Sequence, residues 1–256
     1  MILFDQIVFG PVHSRRLGIS LGINLLPIDA KICSFDCLYC ECGFNTTGEH
    51  AKLPTRMGVR NALELRLKEM ANDGQIPDII TFAGNGEPTL HPDFAGIIDD
   101  TLELRNKYCP NAKVGVLSNA TQIHKPDVFN ALKKVDDNIL KFDSAFDHTL
   151  QLLDRPVRKY ITVRWLIEHL KKFEGKMIVQ TLFIRGEVNG EKIDNTSDKE
   201  IEAWLKALKE MNATQLMIYT IDRETPLKTL EKIPLDELNR IAERAKDHGF
   251  DVTVSG

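Results

Sequence analysis

Short apolar segments rich in β-branched residues alternate with amphipathic helical segments along almost the whole chain, and few folds accept that order. Strand-like segments are read at residues 4–9, 19–26, 78–83, 113–118, 139–142, 177–184, 216–221 and 250–254. Helical segments fall at 56–70, 93–106, 126–134, 161–173, 197–211 and 235–247. Leu63, Leu67 and Met70 recur at helical spacing, Pro126 stands in a first turn, Ser197 is an N-cap, and Gly249 is placed to end the last helix. Repeated βα units with short connections imply a parallel sheet. About six core units are read, fewer than the eight of a closed barrel. The expectation is therefore an α/β chain built as a partial (βα)6 barrel with an extra strand at each end. An open doubly wound sheet fits the same count.

The length of 256 residues suits one domain, with residues 1–18 as an N-terminal extension. Hydrophobic residues make up 43% and charged residues 27%, a globular composition. A net charge of −4 does not favour a polyanionic partner, although a local basic patch could still bind one. The five cysteines form no even disulfide set, no secretory leader is read at the N-terminus, and no apolar run approaches a bilayer span. A reducing cytoplasm and no membrane contact are expected.

Three of those cysteines carry the chemistry. Cys33, Cys37 and Cys40 stand in a C-x3-C-x2-C spacing after an apolar stretch. Three thiolates from one short loop can hold three irons of a [4Fe–4S] cluster, leaving the fourth iron for an exogenous ligand. Cys42 follows too tightly to join the same cluster, and Cys109 reads as a structural thiol. A structural zinc site usually pairs two cysteine knuckles, and no second knuckle is present. A loop of reduced or weakly zinc-binding thiols is the plainer alternative. A second motif, Gly84-Asn85-Gly86-Glu87-Pro88, follows an apolar strand. Glycines let the backbone approach a ligand, and Glu87 can accept from an ammonium group.

With Tyr39 before the last cysteine, the loop reads C-x3-C-x-aromatic-C and resembles the cluster loop of the radical S-adenosylmethionine (SAM) superfamily. The Gly84–Pro88 segment resembles that superfamily's GGEP motif in its GxGEP form, and the two occur in the expected order. The segment from Phe9 to Pro27 is similar to the opening of a subgroup of iron–sulfur oxidoreductases related to wyosine-type tRNA-modifying enzymes, with His13 where that pattern has Pro. His13 and His91 are read as plain loop residues. The resemblance implies a [4Fe–4S] cluster on Cys33, Cys37 and Cys40. It also implies SAM at the open iron, with Tyr39, Gly84, Asn85, Gly86, Glu87 and Pro88 around the cofactor.

In such barrels reactive groups gather at the C-terminal ends of the strands. Ser118 and Asn119 end one unit and are candidate contacts to cofactor oxygens, or ordinary turn residues. Lys141 and Asp143 share one face of another and could hold ligand, or simply pair. Arg185 and Arg223 end later units, and Arg15 and Arg16 precede the cluster strand. Their guanidinium forks suit a substrate carboxylate or phosphate. The expected activity is reductive cleavage of SAM to a 5′-deoxyadenosyl radical acting on a small molecule or nucleoside. An electron donor such as flavodoxin or ferredoxin would serve it. Two further readings are an activating enzyme acting on a partner protein and a non-catalytic iron–sulfur maturation or electron-transfer protein. A tRNA substrate fits the subgroup.

Overall fold

The computed structural model describes residues 2–14, 17–46, 48 and 52–256. Among these, the strands are β1 (Val8–Ser14), β2 (Gly18–Ile23), β3 (Ile79–Phe82), β4 (Lys113–Ser118), β5 (Asp137–Lys141), β6 (Ile178–Leu182), β7 (Ile184–Val188), β8 (Glu191–Asp194), β9 (Gln215–Tyr219), β10 (Leu230–Lys232) and β11 (Asp251–Ser255). The α-helices are α1 (Arg56–Asn72), α2 (Phe94–Tyr108), α3 (Pro126–Leu132), α4 (Asp147–Leu153), α5 (Val163–Leu170), α6 (Asp198–Glu210) and α7 (Leu235–Asp247). One sheet runs β1-β2-β3-β4-β5-β6-β9-β11 and curls into a half-barrel. Every pairing from β2 to β11 is parallel, and β1 pairs antiparallel with β2 at the edge. The six-unit partial barrel with one added strand on each side is thus present. All four residues of β3 are buried, because helices cover the sheet outside and side chains fill it inside.

Three features differ from the sequence reading. The leading strand, expected at 4–9, lies at Val8–Ser14, so only Val8 and Phe9 fall in both and the segment before Val8 is not a strand. Pro11 is tolerated there because β1 is an edge strand, and the register slips between Phe9 and Val12. The strand expected at 177–184 ends at Leu182, and a separate three-stranded antiparallel sheet, β10-β7-β8, begins at Ile184. Its hairpin turns on Asn189 and Gly190, with φ of 52° and 84°, the left-handed pair that a two-residue turn requires. Finally, α4 fills the connection after β5, where no helix was read.

Candidate active site

Because the strands are parallel, their C-terminal ends all face one side, and a cavity of about 390 Å³ opens there. The loop after β2 brings Cys33, Cys37 and Cys40 onto its wall, with Lys31 beside them. That loop is fixed on three sides. Asn45 closes it from within: its Oδ1 accepts from the Cys33 amide at 3.0 Å, and its Nδ2 donates to the Cys33 and Phe35 carbonyls at 3.2 and 3.0 Å. The C-terminal end of α4 supports it from below, since the Asp36 and Leu38 amides donate to the carbonyls of Asp154 (2.9 Å) and Leu153 (3.0 Å). Ile32 bridges to the β3 end, its amide donating to Asn85 O at 3.0 Å and its carbonyl accepting from Glu87 N at 3.2 Å.

The four thiols of this loop are electrostatically unequal. Burial pushes the Cys33 thiol up to about 12 and Cys37 well above its ordinary value. Cys40 is instead lowered to about 5, first by a hydrogen bond from Cys42 and, against burial, by the Lys31 ammonium. Cys42 is raised, chiefly because it keeps the proton of that hydrogen bond. Lys31 is 2% exposed, and its Nζ donates to Gly43 O at 2.7 Å. Burial opposes its charge, but the charges of Cys40, Cys33 and Cys37 outweigh burial and raise its pKa. A buried cation among thiols on one wall is a donor set suited to an anionic iron–sulfur cluster. Among the described residues no three His, Cys, Asp or Glu side chains are drawn together around a single metal ion. Cys42 donates to Gly84 O at 3.3 Å. Cys109 is buried at the end of α2 that leads into β4 and does not line the cavity.

The ends of β3 and β4 meet at Glu87. Its carboxylate is 2% exposed and accepts from Thr89 N (3.1 Å), the Thr89 hydroxyl, Ser118 Oγ (2.8 Å) and Asn119 N (2.6 Å). Burial raises its pKa, and these donors act in the opposite direction. Three of the four bonds fall on Oε1, so Oε2 retains acceptor capacity. Asn119 also reaches the cysteine loop, its Nδ2 lying 3.4 Å from Cys33 Sγ and 2.9 Å from Ser34 Oγ. The next residue, Ala120, is buried with φ 64°, a strained backbone held beside the site. Asn85 does not face the cavity. Its amide instead pins two backbone segments, donating to Phe4 O (2.9 Å) and Pro27 O (2.8 Å) and accepting from Phe4 N (2.8 Å). Pro88 likewise lies off the cavity, starting a short 3-10 turn capped by Glu87. Gly84 and Gly86 do line it, with φ of 138° and 132°. A Cβ at Gly86 would stand 1.9 Å from Ile32 O, and one at Gly84 would stand 2.6 Å from Asn24 Oδ1. Both glycines are therefore required for the chain's approach to itself.

A second polar cluster ends β5. The Lys141 ammonium donates to Tyr39 Oη and to Asp143 Oδ2 (3.2 Å), and lies 4.6 Å from the Tyr39 ring centre. Tyr39 Oη in turn donates to Asp143 and to Asp154 Oδ1, the latter at 3.1 Å. Asp154, absent from the sequence reading, also takes a contact from Cys37 Sγ at 3.4 Å. Burial, then the neighbouring Asp143 charge, holds Asp154 well above the usual carboxylate range. Burial opposes the charge on Lys141, but Asp143, Tyr219, Cys37 and Asp154 raise its pKa well above the ordinary value. Tyr39 and Lys141 line the cavity; Asp143 is buried behind them, its Oδ1 accepting from Leu182 N at 2.9 Å.

The arginines do not converge. Arg185 lies on β7, off the cavity, with Nη2 donating to Thr196 Oγ1 (2.7 Å) and to Glu237 of α7. The early end of β6 turns it away from the strand ends. Arg223 does reach the rim, where it pairs with Glu41 at 2.8 Å. Arg15 and Arg16 lie outside the described residues. His91 is structural, with Nε2 2.7 Å from Pro54 O.

The Radical SAM superfamily model matches residues 28–187, the span from the cysteine loop through β7. The chain belongs to the radical SAM superfamily. This radical SAM chain is similar to a UPF0026 protein of Helicobacter pylori, 30% identical over 238 residues that cover 91% of it and 71% of the relative. A UPF0026 protein of Methanocaldococcus jannaschii is 28% identical over 240 residues, covering 92% and 70%. Among solved structures, a radical SAM methyltransferase from Sphaerobacter thermophilus superposes with a TM-score of 0.66 at 14% identity, covering 92% of this chain and 65% of its own. TYW1 with a lysine-pyruvate adduct bound superposes at 0.61 and 13% identity, covering 89% and 73%. These two likenesses concern the fold. The chain is a radical SAM enzyme, and no helix among the described residues is long and apolar enough to cross a membrane.

Proposed function

We propose that Cys33, Cys37 and Cys40 hold a [4Fe–4S] cluster, that Glu87, Ser118 and Asn119 receive SAM beside it, and that the remaining cavity takes a small molecule or nucleoside. The observation that carries this reading is one cavity bounded by all three thiols and by the ends of β3 and β4. Its volume falls in the range of small-molecule pockets, roughly 300–1,000 Å³. When bound, the cluster supplies the electron that cleaves SAM and so delivers a 5′-deoxyadenosyl radical for hydrogen abstraction.

The chain's own residues divide the work. Lys31 offsets thiolate charge, and Asn119 places an N–H against Cys33. Glu87 offers Oε2 to an ammonium donor while Ser118 and Asn119 fix its orientation. The stacked Phe4 and Phe9 rings, 3.8 Å apart, line the apolar side of the cavity. Tyr39 and Lys141, held from behind by Asp143, form a preorganised polar part of the wall. The Lys141 ammonium and the Tyr39 hydroxyl suit an anionic or hydroxylated substrate. A cytoplasmic setting with reduced thiols suits this chemistry.

Anaerobic incubation of the reconstituted protein with SAM and dithionite tests the reading. Release of 5′-deoxyadenosine and methionine is expected. A fully iron-loaded protein that releases neither would contradict it.

A further inference from the structure

The loop that follows α4 is basic, exposed and tied directly to the cysteine loop. Arg155, Val157, Arg158, Lys159 and Tyr160 all face solvent, Val157 at 58% and Tyr160 at 53%. Beneath them, Val157 N donates to Ser34 O at 2.9 Å, and Arg155 O accepts from Asp36 N at 3.2 Å. Ser34 adjoins Cys33, and Asp36 adjoins Cys37. Arg155 has φ 49°, in the left-handed region, and its guanidinium sits 5.2 Å from the ring of the exposed Phe44 and 3.8 Å from Asp36. Arg158 and Lys159 have no ion-pairing carboxylate among the described residues. The chain as a whole is acidic, at −4, so the cations are a local feature. None of these side chains lines the cavity.

We infer that this patch docks an acidic one-electron carrier protein that reduces the cluster. The inference rests on the cluster assignment proposed above. The proposed function gives the cavity side of the cysteine loop to SAM and substrate, which leaves the side of the loop outside the cavity for the electron. Two hydrogen bonds, Val157–Ser34 and Arg155–Asp36, join this surface to residues adjacent to two of the three cysteines. The exposed cations steer an acidic partner, and Phe44, Val157 and Tyr160 add exposed apolar surface. Redox encounters are small, below roughly 1,200 Å² in total, so they need only a local patch. The donor loses one electron and the cluster gains one; no bond or proton moves.

The test compares reductants on the iron-loaded protein, following the loss of cluster absorbance in stopped flow. The probes are reduced flavodoxin, reduced [2Fe–2S] ferredoxin and dithionite. In Arg158→Glu/Lys159→Glu, reduction by at least one protein donor is expected to slow tenfold or more at low salt. Dithionite should reduce it within twofold of the parent rate, and the parent's protein-driven rate should fall as salt rises. A variant reduced by both carrier proteins at the parent rate overturns the inference. If the charge reversal also slows dithionite, Arg158→Gln/Lys159→Gln replaces it, and a parental protein-driven rate in that variant overturns the inference equally. Binding of a single-stranded tRNA fragment that depends on these charges, with protein-driven reduction unchanged, does the same. A parent chain that takes up no iron sinks the proposed function itself, whereas an iron-loaded chain indifferent to the charge changes sinks this inference alone.

Discussion

Glu87 joins the β3 and β4 ends into one surface, and its chemistry follows from counting lone pairs. Oε1 is filled by Thr89 and Ser118, while Oε2 takes only the Asn119 amide. Glu87→Gln preserves most of the shape but removes the charge. A hydrogen bond to a charged group contributes about 1.5–3 kcal/mol, so SAM affinity is expected to fall by about tenfold or more while iron content stays at the parent level. Calorimetry on the iron-loaded protein checks this, and an unchanged affinity would remove Glu87 from the cofactor site. Residues with an unusual chemical signature were legible in the sequence: the cysteine loop, Glu87, and the Lys141–Asp143 pair on one face. Asp154, Lys31 and Asn45 were not, because a single Asp, Lys or Asn gains meaning only from what surrounds it. Asp154 meets Tyr39 and Cys37 across more than a hundred residues of chain. Asn85 was misread for the same reason, since its partners, Phe4 and Pro27, lie nearly sixty residues or more away.

At the scale of elements, the cysteine loop and the β3 end form one backbone unit through Ile32 and Gly86. Gly86→Ala would drive a Cβ to 1.9 Å from Ile32 O at a φ of 132°. Backbone has to yield there, and Ile32 directly precedes Cys33. The variant is expected to keep the far-UV circular dichroism of the parent and to lose most of the cluster absorbance after reconstitution. Full absorbance would show that the bridge does not set the loop. The βα alternation was readable because the parallel strands carry short apolar, β-branched stretches, such as Ile79–Phe82, between longer helical segments. The β7–β8 hairpin was also written in the chain, as Val188-Asn189-Gly190-Glu191. It was missed by extending β6 through Ile184, and that extension is what carried Arg185 to the cavity. In the structure Arg185 belongs to the packing of β7 against α7.

For the whole molecule, a half-barrel gathers the C-terminal ends of its parallel strands over one cavity and leaves two approaches to it. The mouth carries Arg223 and Glu41, while the outer side of the cysteine loop carries Arg155, Arg158 and Lys159. In the arrangement proposed above, substrate and electron donor use separate surfaces. All of this depends on three cysteines holding a four-iron cluster whose remaining iron accepts SAM. Electron paramagnetic resonance of the dithionite-reduced protein, recorded with and without SAM on samples of known iron content, addresses that claim most directly. About four irons per chain and a cluster spectrum that changes on adding SAM are expected for the parent, with both lost in Cys37→Ala. A full cluster in Cys37→Ala, or a parent spectrum indifferent to SAM, would contradict the assignment.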